Sequence, residues 1–572
     1  MPARPGRPLR FAACLLAGCL VLPAAVGRAA DEADSPGQAD LDAAIDAKLS
    51  VDQLDDYAKV LDLCRQAVDK GLPDDARKFA EELYTGTLMD RAGMLVEAIF
   101  ESPTPDEQWP RMRAFAMRDL DEVVKRDPAI GQAHLMIARL ESLPRGNRER
   151  AVTAATKALE LVGDDRLQRA QAHLVLGSVD DDVEKRLEQY AKAVELAPRD
   201  VEIRRTRGLA LLVEDKFDDA RADLVVATEE EPDDASLFEA LGMACMMGDR
   251  LDEAEKAFDR AIELEPDDAG ALLQRARLLA VRGAKEKALD DIEKVLEATP
   301  DDATARLLRA RVHQQAGDTD KALADLEDVL RNEPDLASAL ELRGLIAAEQ
   351  GDYAAAIRDF RRLVAKNGDD PVLLAQLGTL YLAAKQPREA IKRFTRALEI
   401  DEENFPCRRG RSDAEITIGD HKAALADLEK ALELRPDDTG VLNNLAWLLA
   451  TSPEDALRDG KRAIDLARKA CEKTEWKEAH IVSTLAAGHA EAGDFEAARK
   501  FSRQAVDLGD GAADVTEQLK NELANYEAGK PWRERQETPD AGAESLPKIP
   551  GTEPAPAEQP APPAKARRPF DE

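Results

Sequence analysis

Apolar side chains along most of this chain recur at alternating intervals of three and four residues, which places them on one face of an α-helix. The helical stretches are separated by breaks with a fixed period, because proline returns every 34 residues. The prolines in this register are Pro198, Pro232, Pro266, Pro300, Pro334 and Pro436, with Gly368 and Glu402 in the two remaining slots. Residues 199–436 therefore form seven consecutive units without an insertion or deletion, and each unit is predicted to be a helix, a turn and a second helix.

Each unit repeats the same arrangement of small and large residues. Ten residues after the proline position stands a small residue: Gly208, Gly242, Ala276, Ala310, Gly344, Gly378 and Ser412. Twenty-two residues after it stands an alanine: Ala220, Ala254, Ala288, Ala322, Ala356, Ala390 and Ala424. Twenty-six residues after it stands a large apolar residue: Leu224, Phe258, Ile292, Leu326, Phe360, Phe394 and Leu428. Small residues let two helices approach closely and the large residue fills the space beside them, which predicts a packed helical hairpin.

The ends of the predicted helices are marked by residues that typically end or cap helices. The tripeptide PDD occurs at 232–234, 266–268, 300–302 and 436–438, where proline would end one helix and aspartate would cap the next. The bend between the two helices contains glycine in four units: Gly283, Gly317, Gly351 and Gly419. Glycine suits this place because it adopts the left-handed backbone conformation that commonly ends a helix.

This combination of period, small-residue placement and terminal proline resembles the tetratricopeptide repeat (TPR) family. The resemblance spans roughly 129–508 and implies an all-α, right-handed superhelical solenoid of helix–turn–helix repeats. Residues 31–128 are helical by pattern and are predicted to be degenerate repeats or an N-terminal helical cap. Residues 509–532 are predicted to form a C-terminal capping helix, because the last repeat would otherwise expose an apolar face. Residues 533–572, rich in proline, alanine and glutamate, are predicted to be a disordered tail.

Five units also share a pair of opposite charges. An arginine stands nine residues after the proline position and an aspartate sixteen residues further on: Arg207 and Asp223, Arg275 and Asp291, Arg309 and Asp325, Arg343 and Asp359, Arg411 and Asp427. The other two units lack both residues. Because arginine and carboxylate form bidentate pairs, each arginine is predicted to reach across the hairpin to its own aspartate. The alternative is a ladder of arginines that binds an acidic ligand.

In TPR proteins the first helix of each repeat lines a concave groove that binds an extended or helical peptide. Carried onto this sequence, the resemblance implies a lining that includes Leu209, Leu212, Val213, Met243, Met246, Met247, Leu273, Arg277, Ala280, Val281, Arg311, Gln314, Gln315, Glu341 and Glu349. Methionine side chains suit a surface that adapts to varied apolar ligands. The alternative is that these residues pack within or between repeats. The Lys/Asn set with which family members bind a C-terminal carboxylate is absent at these positions.

Composition narrows the choice of partners. Aromatic residues make up only 4% of the chain while hydrophobic residues make up 44%, a mostly aliphatic content that suits helix packing. The formal net charge is -34, which repels phosphate backbones and makes nucleic acid an unfavourable partner. Beyond residue 30, no stretch approaches the ~20 apolar residues needed to span a bilayer.

The first thirty residues differ from the rest. Arg4, Arg7 and Arg10 precede the apolar run FAACLLAGCLVLPAAV, which predicts that 1–30 is an export signal peptide and that the protein is periplasmic or extracellular. LAGC at 16–19 resembles the bacterial lipoprotein signal, in which Cys19 would be lipidated and anchor the chain to a membrane. Simple cleavage near 27–30 is favoured, because apolar residues continue past Cys19 to Val26. Labelling with a fatty-acid probe distinguishes the two.

Residue types that could support catalysis do not fall into a known arrangement. The six histidines form no HExxH motif, and the chain has no GxSxG, GxxxxGK[ST] or GxGxxG sequence. The cysteines after the leader, Cys64, Cys245, Cys407 and Cys471, have no CxxC spacing. We therefore predict no catalytic residue, metal or cofactor.

The leading functional hypothesis is a non-enzymatic scaffold that binds peptide segments or partner proteins in its groove. Two alternatives stay open. One is an envelope-anchored structural lipoprotein that spaces other components. The other is a regulatory subunit or accessory factor of an enzyme.

Overall fold

A computed structural model describes residues 35–101, 108–509 and 513–534. Within these residues the chain forms 27 α-helices and one short 3-10 turn at Asp455–Leu457, with no β-strand. The all-α prediction is therefore confirmed. The predicted signal peptide, Cys19 and all of the predicted tail except residues 533 and 534 lie outside the described residues. No helix in the described part of the chain is long and apolar enough to cross a membrane.

The chain divides into two compact parts, Met1–Leu264 and Glu265–Glu572, which we call the first and the second unit. The 34-residue units of the sequence are called repeats from here on. The helices of the first unit are α1 (Gln38–Leu49), α2 (Asp56–Lys70), α3 (Asp74–Glu101), α4 (Trp109–Arg126), α5 (Gly131–Ser142), α6 (Arg148–Leu161), α7 (Arg166–Ser178), α8 (Val183–Leu196), α9 (Val201–Val213), α10 (Phe217–Glu230), α11 (Ala235–Met247) and α12 (Leu251–Leu264). Four helices, α1 to α4, thus lie in the region predicted to be a cap or degenerate repeats. The interpretation of these helices as degenerate repeats or as a cap stays a prediction.

The helices of the second unit are α13 (Ala269–Val281), α14 (Lys285–Ala298), α15 (Ala303–Gln315), α16 (Thr319–Asn332), α17 (Ala337–Glu349), α18 (Tyr353–Asn367), α19 (Pro371–Ala383), α20 (Pro387–Ile400), α21 (Phe405–Ile418), α22 (His421–Leu434), α23 (Thr439–Thr451), α24 (Gly460–Lys473), α25 (Ala479–Glu491), α26 (Phe495–Leu508) and α27 (Ala513–Glu527). From α9 to α26 the odd-numbered helices are the first helices of the repeats and the even-numbered ones are the second; we call them A helices and B helices.

Within each unit, the principal contacts join helices that follow one another in the chain or first helices of successive repeats, such as α19 with α21 and α23 with α25. This pattern is that of a solenoid, in which each repeat contacts only its neighbours. The core consists of the inward faces of these helices, and it is aliphatic and alanine-rich, as the composition predicts.

The predicted helix caps are present. The side chains of Asp200, Asp234, Asp268, Asp302, Asp370, Asn404 and Asp438 accept hydrogen bonds from backbone N–H groups in the first turn of the following A helix. Helix α17 is the exception among these repeats, because Leu336 stands at its N-cap and makes no such bond. The carboxylate of Asp335, one residue earlier, instead accepts a hydrogen bond from Nε of Arg362 at 2.6 Å.

The bend between the helices adopts a positive φ in all seven exact repeats. Glycine holds the position in four of them, with φ between 74° and 81° at Gly283, Gly317, Gly351 and Gly419. The other three repeats place Asp215, Asp249 and Lys385 there, with φ of 56°, 58° and 57°. A left-handed conformation costs a side-chain-bearing residue some stability, so the repeat geometry overrides local preference at these three bends.

Packing inside the hairpin follows the small–large pairing. A methyl group at Gly242 would lie 2.5 Å from Cε1 of Phe258, and one at Gly378 would lie 2.6 Å from Cε1 of Phe394. The A helix therefore tolerates phenylalanine on the B helix only where its own residue is glycine. The two repeats with alanine at this position use aliphatic partners, Ile292 beside Ala276 and Leu326 beside Ala310.

Candidate protein-interaction surface

The five arginine–aspartate pairs predicted from the sequence all come together within their own hairpins. Each guanidinium donates from Nε and Nη2 to both oxygens of its aspartate, the bidentate geometry of the ion-pair interpretation. The Nη2 to Oδ1 distances are 2.6 Å for Arg207 and Asp223, 2.7 Å for Arg275 and Asp291, 2.6 Å for Arg309 and Asp325, 2.7 Å for Arg343 and Asp359, and 2.8 Å for Arg411 and Asp427. All five aspartates are buried, and each pair ties an A helix to its B helix.

Two of these aspartates hold a second arginine that the sequence pattern did not indicate. Asp223 also accepts from Arg204, and Asp427 also accepts from Arg408 at 3.3 Å. Both additional arginines stand three residues before the predicted one, so they lie one turn earlier on the same helix face. The hydrogen bonds that Arg411 donates to Asp427 raise the pKa of Arg411, which keeps the guanidinium charged in its half-buried position.

Glu415, one turn after Arg411 on α21, is a buried carboxyl in an unfavourable setting. Only 7% of the residue is exposed, and its Oε2 atom has no hydrogen-bond partner in the described residues. Burial, together with the nearby charge of Asp427, raises the pKa of Glu415 from 4.5 to about 7. Ionising this carboxyl therefore costs stability.

The pH dependence of unfolding should report that cost. Below the unfolded pKa of 4.5 the carboxyl is protonated in both states and costs nothing. Above about pH 7 it is ionised in both states, and the cost is complete. We expect Glu415→Gln to stabilise the protein by about 1–3 kcal/mol at pH 8 and to have little effect at pH 4. Urea denaturation at the two pH values measures this, and an equal gain at both would contradict it.

A cleft of about 760 Å³ opens along the A helices of three successive repeats in the second unit, α13, α15 and α17. Its lining includes five residues predicted for the groove, namely Arg277, Ala280, Val281, Arg311 and Gln315. Sequence reasoning missed the rest of the lining, which comprises Ala303, Thr304, Leu307, Leu308, Val312, Glu333, Leu336, Ser338 and Leu342. Leu307 could have been found, because it stands one turn before Arg311 on the same helix face.

Arg277 and Arg311 occupy equivalent positions, eleven residues after the proline, in successive repeats. Both side chains are exposed, and in the described part of the chain neither forms an ion pair. Most other arginines of these hairpins are bound to carboxylates. Val281, four residues after Arg277, is 73% exposed although it is a large apolar residue. The cleft thus offers cations and apolar surface that internal packing does not use.

The first unit has a related apolar patch on α9 and α11. Leu209, Val213 and Met247 are 45%, 77% and 46% exposed, while Met243 and Met246 are half-buried. These residues stand at the same helix positions as the cleft residues of the second unit. Gln314, also predicted for the lining, is half-buried and donates weakly to the carboxylate of Glu349 at 3.3 Å.

Two residues that were predicted to line the groove are buried in the structure. Leu212 and Leu273 are each only 8% exposed, and Leu212 packs in the core of its hairpin. Leu212 adjoins the exposed Val213 in the sequence, so the 3.6-residue period turns it toward the neighbouring helices. These two leucines therefore contribute to packing.

Models of the tetratricopeptide repeat match residues 205–264 and 307–371, 241–313, 347–408, and 411–438. The chain carries tetratricopeptide repeats. The matched TPR segments lie inside the 129–508 range over which the resemblance was expected. No protein with a curated description matches the sequence.

Solved structures of TPR proteins resemble parts of the chain. A TPR protein from Parabacteroides merdae is 20% identical, with 43% of this chain and 97% of that chain covered and a TM-score of 0.33. YrrB, described as a TPR protein with an unusual peptide-binding site, is 27% identical, with 33% and 97% covered and a TM-score of 0.30. Yeast Tom70 is 18% identical, with 67% and 92% covered and a TM-score of 0.30. These likenesses concern the helical repeat fold.

Proposed function

We propose that this protein is a non-enzymatic scaffold that binds extended segments of partner proteins along its A helices. The binding residues are those eleven and fifteen positions after the proline, and within each of the two compact units we call the surface that they form its A-helix surface. TPR arrays in general mediate protein–protein interactions, which supports the proposal. The observation that carries it is the cleft on α13, α15 and α17, where Val281 is exposed and Arg277 and Arg311 form no ion pair with the described residues.

The chemistry of this surface favours a particular kind of segment. Exposed valine, leucine and methionine side chains gain from covering by apolar residues of a partner, and methionine adapts to different shapes. Arg277 and Arg311 can donate paired hydrogen bonds to carboxylates or to backbone carbonyls. The chain as a whole is strongly acidic, so these two arginines form a local attraction for acidic residues beside apolar ones.

A selection from a displayed peptide library tests the proposal, with the purified full chain as bait. We expect peptides that combine apolar and acidic residues. Their affinity should fall at least about tenfold for Arg277→Glu plus Arg311→Glu, since two charge-assisted contacts become repulsive. The matched control is Lys287→Glu plus Arg358→Glu, which makes the same charge change on exposed positions of the B helices α14 and α18.

In the first unit, Met243→Glu plus Met247→Glu should weaken peptides that depend on the apolar patch. The conservative Met243→Leu plus Met247→Leu variant should retain them, because leucine preserves the apolar surface. If no peptide is selected, or if the B-helix control weakens binding as much as the Arg277 and Arg311 variant, the proposed function is wrong.

A further inference from the structure

After α27 the chain folds back onto two A helices, α23 and α25. Residues 531–534 follow α27 without regular secondary structure. The backbone N–H of Glu534 donates to the carbonyl of Thr451 at 2.9 Å, and the indole of Trp447 donates to the Glu534 carboxylate. Nη2 of Arg533 lies 2.6 Å from the carboxylate of Glu491. Trp532 packs against the same apolar cluster as Trp447, so this segment is held by both polar and apolar contacts.

The contacted residues belong to the A-helix surface. Trp447 and Thr451 stand eleven and fifteen residues after Pro436, the positions that Arg311 and Gln315 hold after Pro300. Glu491 is the last residue of α25, as Thr451 is the last residue of α23. An extended segment of the chain therefore already occupies, at α23 and α25, the kind of position where a partner segment is proposed to bind.

The sequence beyond Glu534 is complementary in charge to the arginines of the cleft. Residues 535–560 contain five acidic residues, Glu537, Asp540, Glu544, Glu553 and Glu558, and two basic residues, Arg535 and Lys548. At the positions that define the A-helix surface, the second unit displays Arg277 and Arg311 in the cleft, whereas Glu349 on α17 and Asp413 on α21 stand at these positions between α15 and α23. The acidic residues of the segment are therefore attracted to Arg277 and Arg311 in the cleft, and not to the helices between the cleft and α23.

The segment is long enough to reach the cleft from α23. Four A-helix steps separate α23 from α15, and at about 10 Å for each step the distance is roughly 40 Å. An extended chain spans about 3.3 Å per residue, so the eighteen residues from Glu534 to Thr552 reach up to about 60 Å. The segment can therefore arrive at the cleft while residues 531–534 stay bound at α23 and α25.

We propose that residues 535–560 of this chain bind along the A-helix surface of the second unit and compete there with partner segments. This inference rests on the proposed function, because it assigns an internal competitor to the same surface. A tethered segment acts at an effective concentration in the millimolar range. A partner must then bind more tightly than the segment, or engage the surface after the segment has been displaced.

Distance measurement between two spin labels in the full chain tests the inference. One label is placed in the cleft at Gln315→Cys and the other in the segment at Thr552→Cys. The four native cysteines of the described residues are buried, and Cys14 and Cys19 are replaced by serine. We expect a narrow population of short distances. A control pair with Lys287→Cys, exposed on the B helix α14, should give longer distances.

Charge reversal in the cleft is the second test of the inference. In the labelled protein, Arg277→Glu plus Arg311→Glu should broaden the short-distance population, whereas Lys287→Glu plus Arg358→Glu should leave it unchanged. A broad distribution that none of these changes affects would overturn the inference. The peptide selection is a separate measurement. If selected peptides bind but the two labels show no ordered distance, the proposed function stands and only the proposal of an internal competitor is wrong.

Discussion

Asp223→Ala is expected to lower the free energy of unfolding by about 3–5 kcal/mol, because it leaves two arginines in a buried site without their counter-ion. Asp223 is fully buried and accepts hydrogen bonds from both Arg204 and Arg207. The side chains of the two arginines are only 16% and 22% exposed, so water can replace the lost carboxylate only in part. Breaking a buried pair on one side costs more than the pair itself contributes.

Urea denaturation together with hydrogen exchange of α9 and α10 measures this effect, since repeat arrays can open in parts. Asp325→Ala is the matched comparison, because Asp325 pairs with Arg309 alone among the repeat arginines and should cost less. The double variant Arg309→Ala plus Asp325→Ala should be more stable than Asp325→Ala, since no unpaired charge remains. If Asp223→Ala were as stable as the wild type, the ion pairs of Asp223 would not stabilise the contact between α9 and α10.

Phe394→Ala is expected to cost about 3–5 kcal/mol, the second large effect, because it empties the space between two helices. The ring is only 1% exposed. A methyl group at Gly378 would lie 2.6 Å from Cε1 of the ring, and one at Gly410 would lie 2.5 Å from Cζ. The ring thus fits between the glycines of two successive A helices, and its loss removes contacts within and between repeats.

The same contact predicts a specific compensation. Gly378→Ala should destabilise by about 1–3 kcal/mol through overpacking, although alanine is the better helix former. Adding Phe394→Leu should relieve the clash, because the repeat with Ala310 and Leu326 is packed in this way. Gly86→Ala is the control: a methyl group there meets no atom within 4 Å, so it should stabilise by about 0.5–1 kcal/mol. Thermal denaturation of the four variants would refute the account if Gly378→Ala were stabilising.

The parts of the fold that depend on local chemistry were predictable from the sequence. The proline period, the aspartate caps such as Asp268, and the pairing of Arg275 with Asp291 involve residues within one repeat, and their recurrence in register makes each observation support the others. Seven repeats in one register left few alternatives for the position of each side chain. The sequence therefore predicted the hairpins and their ion pairs residue by residue.

Features that depend on contacts between elements were not predictable in the same way. The second arginine at Asp223 comes from a residue that is absent from most repeats, so no period pointed to it. The burial of Leu212 depends on the exact rotation of α9 against its neighbours. The return of Glu534 to Trp447 joins residues 87 positions apart, and nothing in the local pattern of either segment indicates the other. These contacts required the tertiary structure.

Site-directed photo-cross-linking tests the central claim, that the A-helix surface binds partner segments, most directly. A photoreactive amino acid replaces Val281, which is 73% exposed in the cleft, or Lys287 on the B helix α14, and a library-selected peptide is added. The account predicts that the peptide is cross-linked from position 281, that unlabelled peptide abolishes this product, and that position 287 gives none. Equal products from both positions, or a product from position 287 alone, would contradict it.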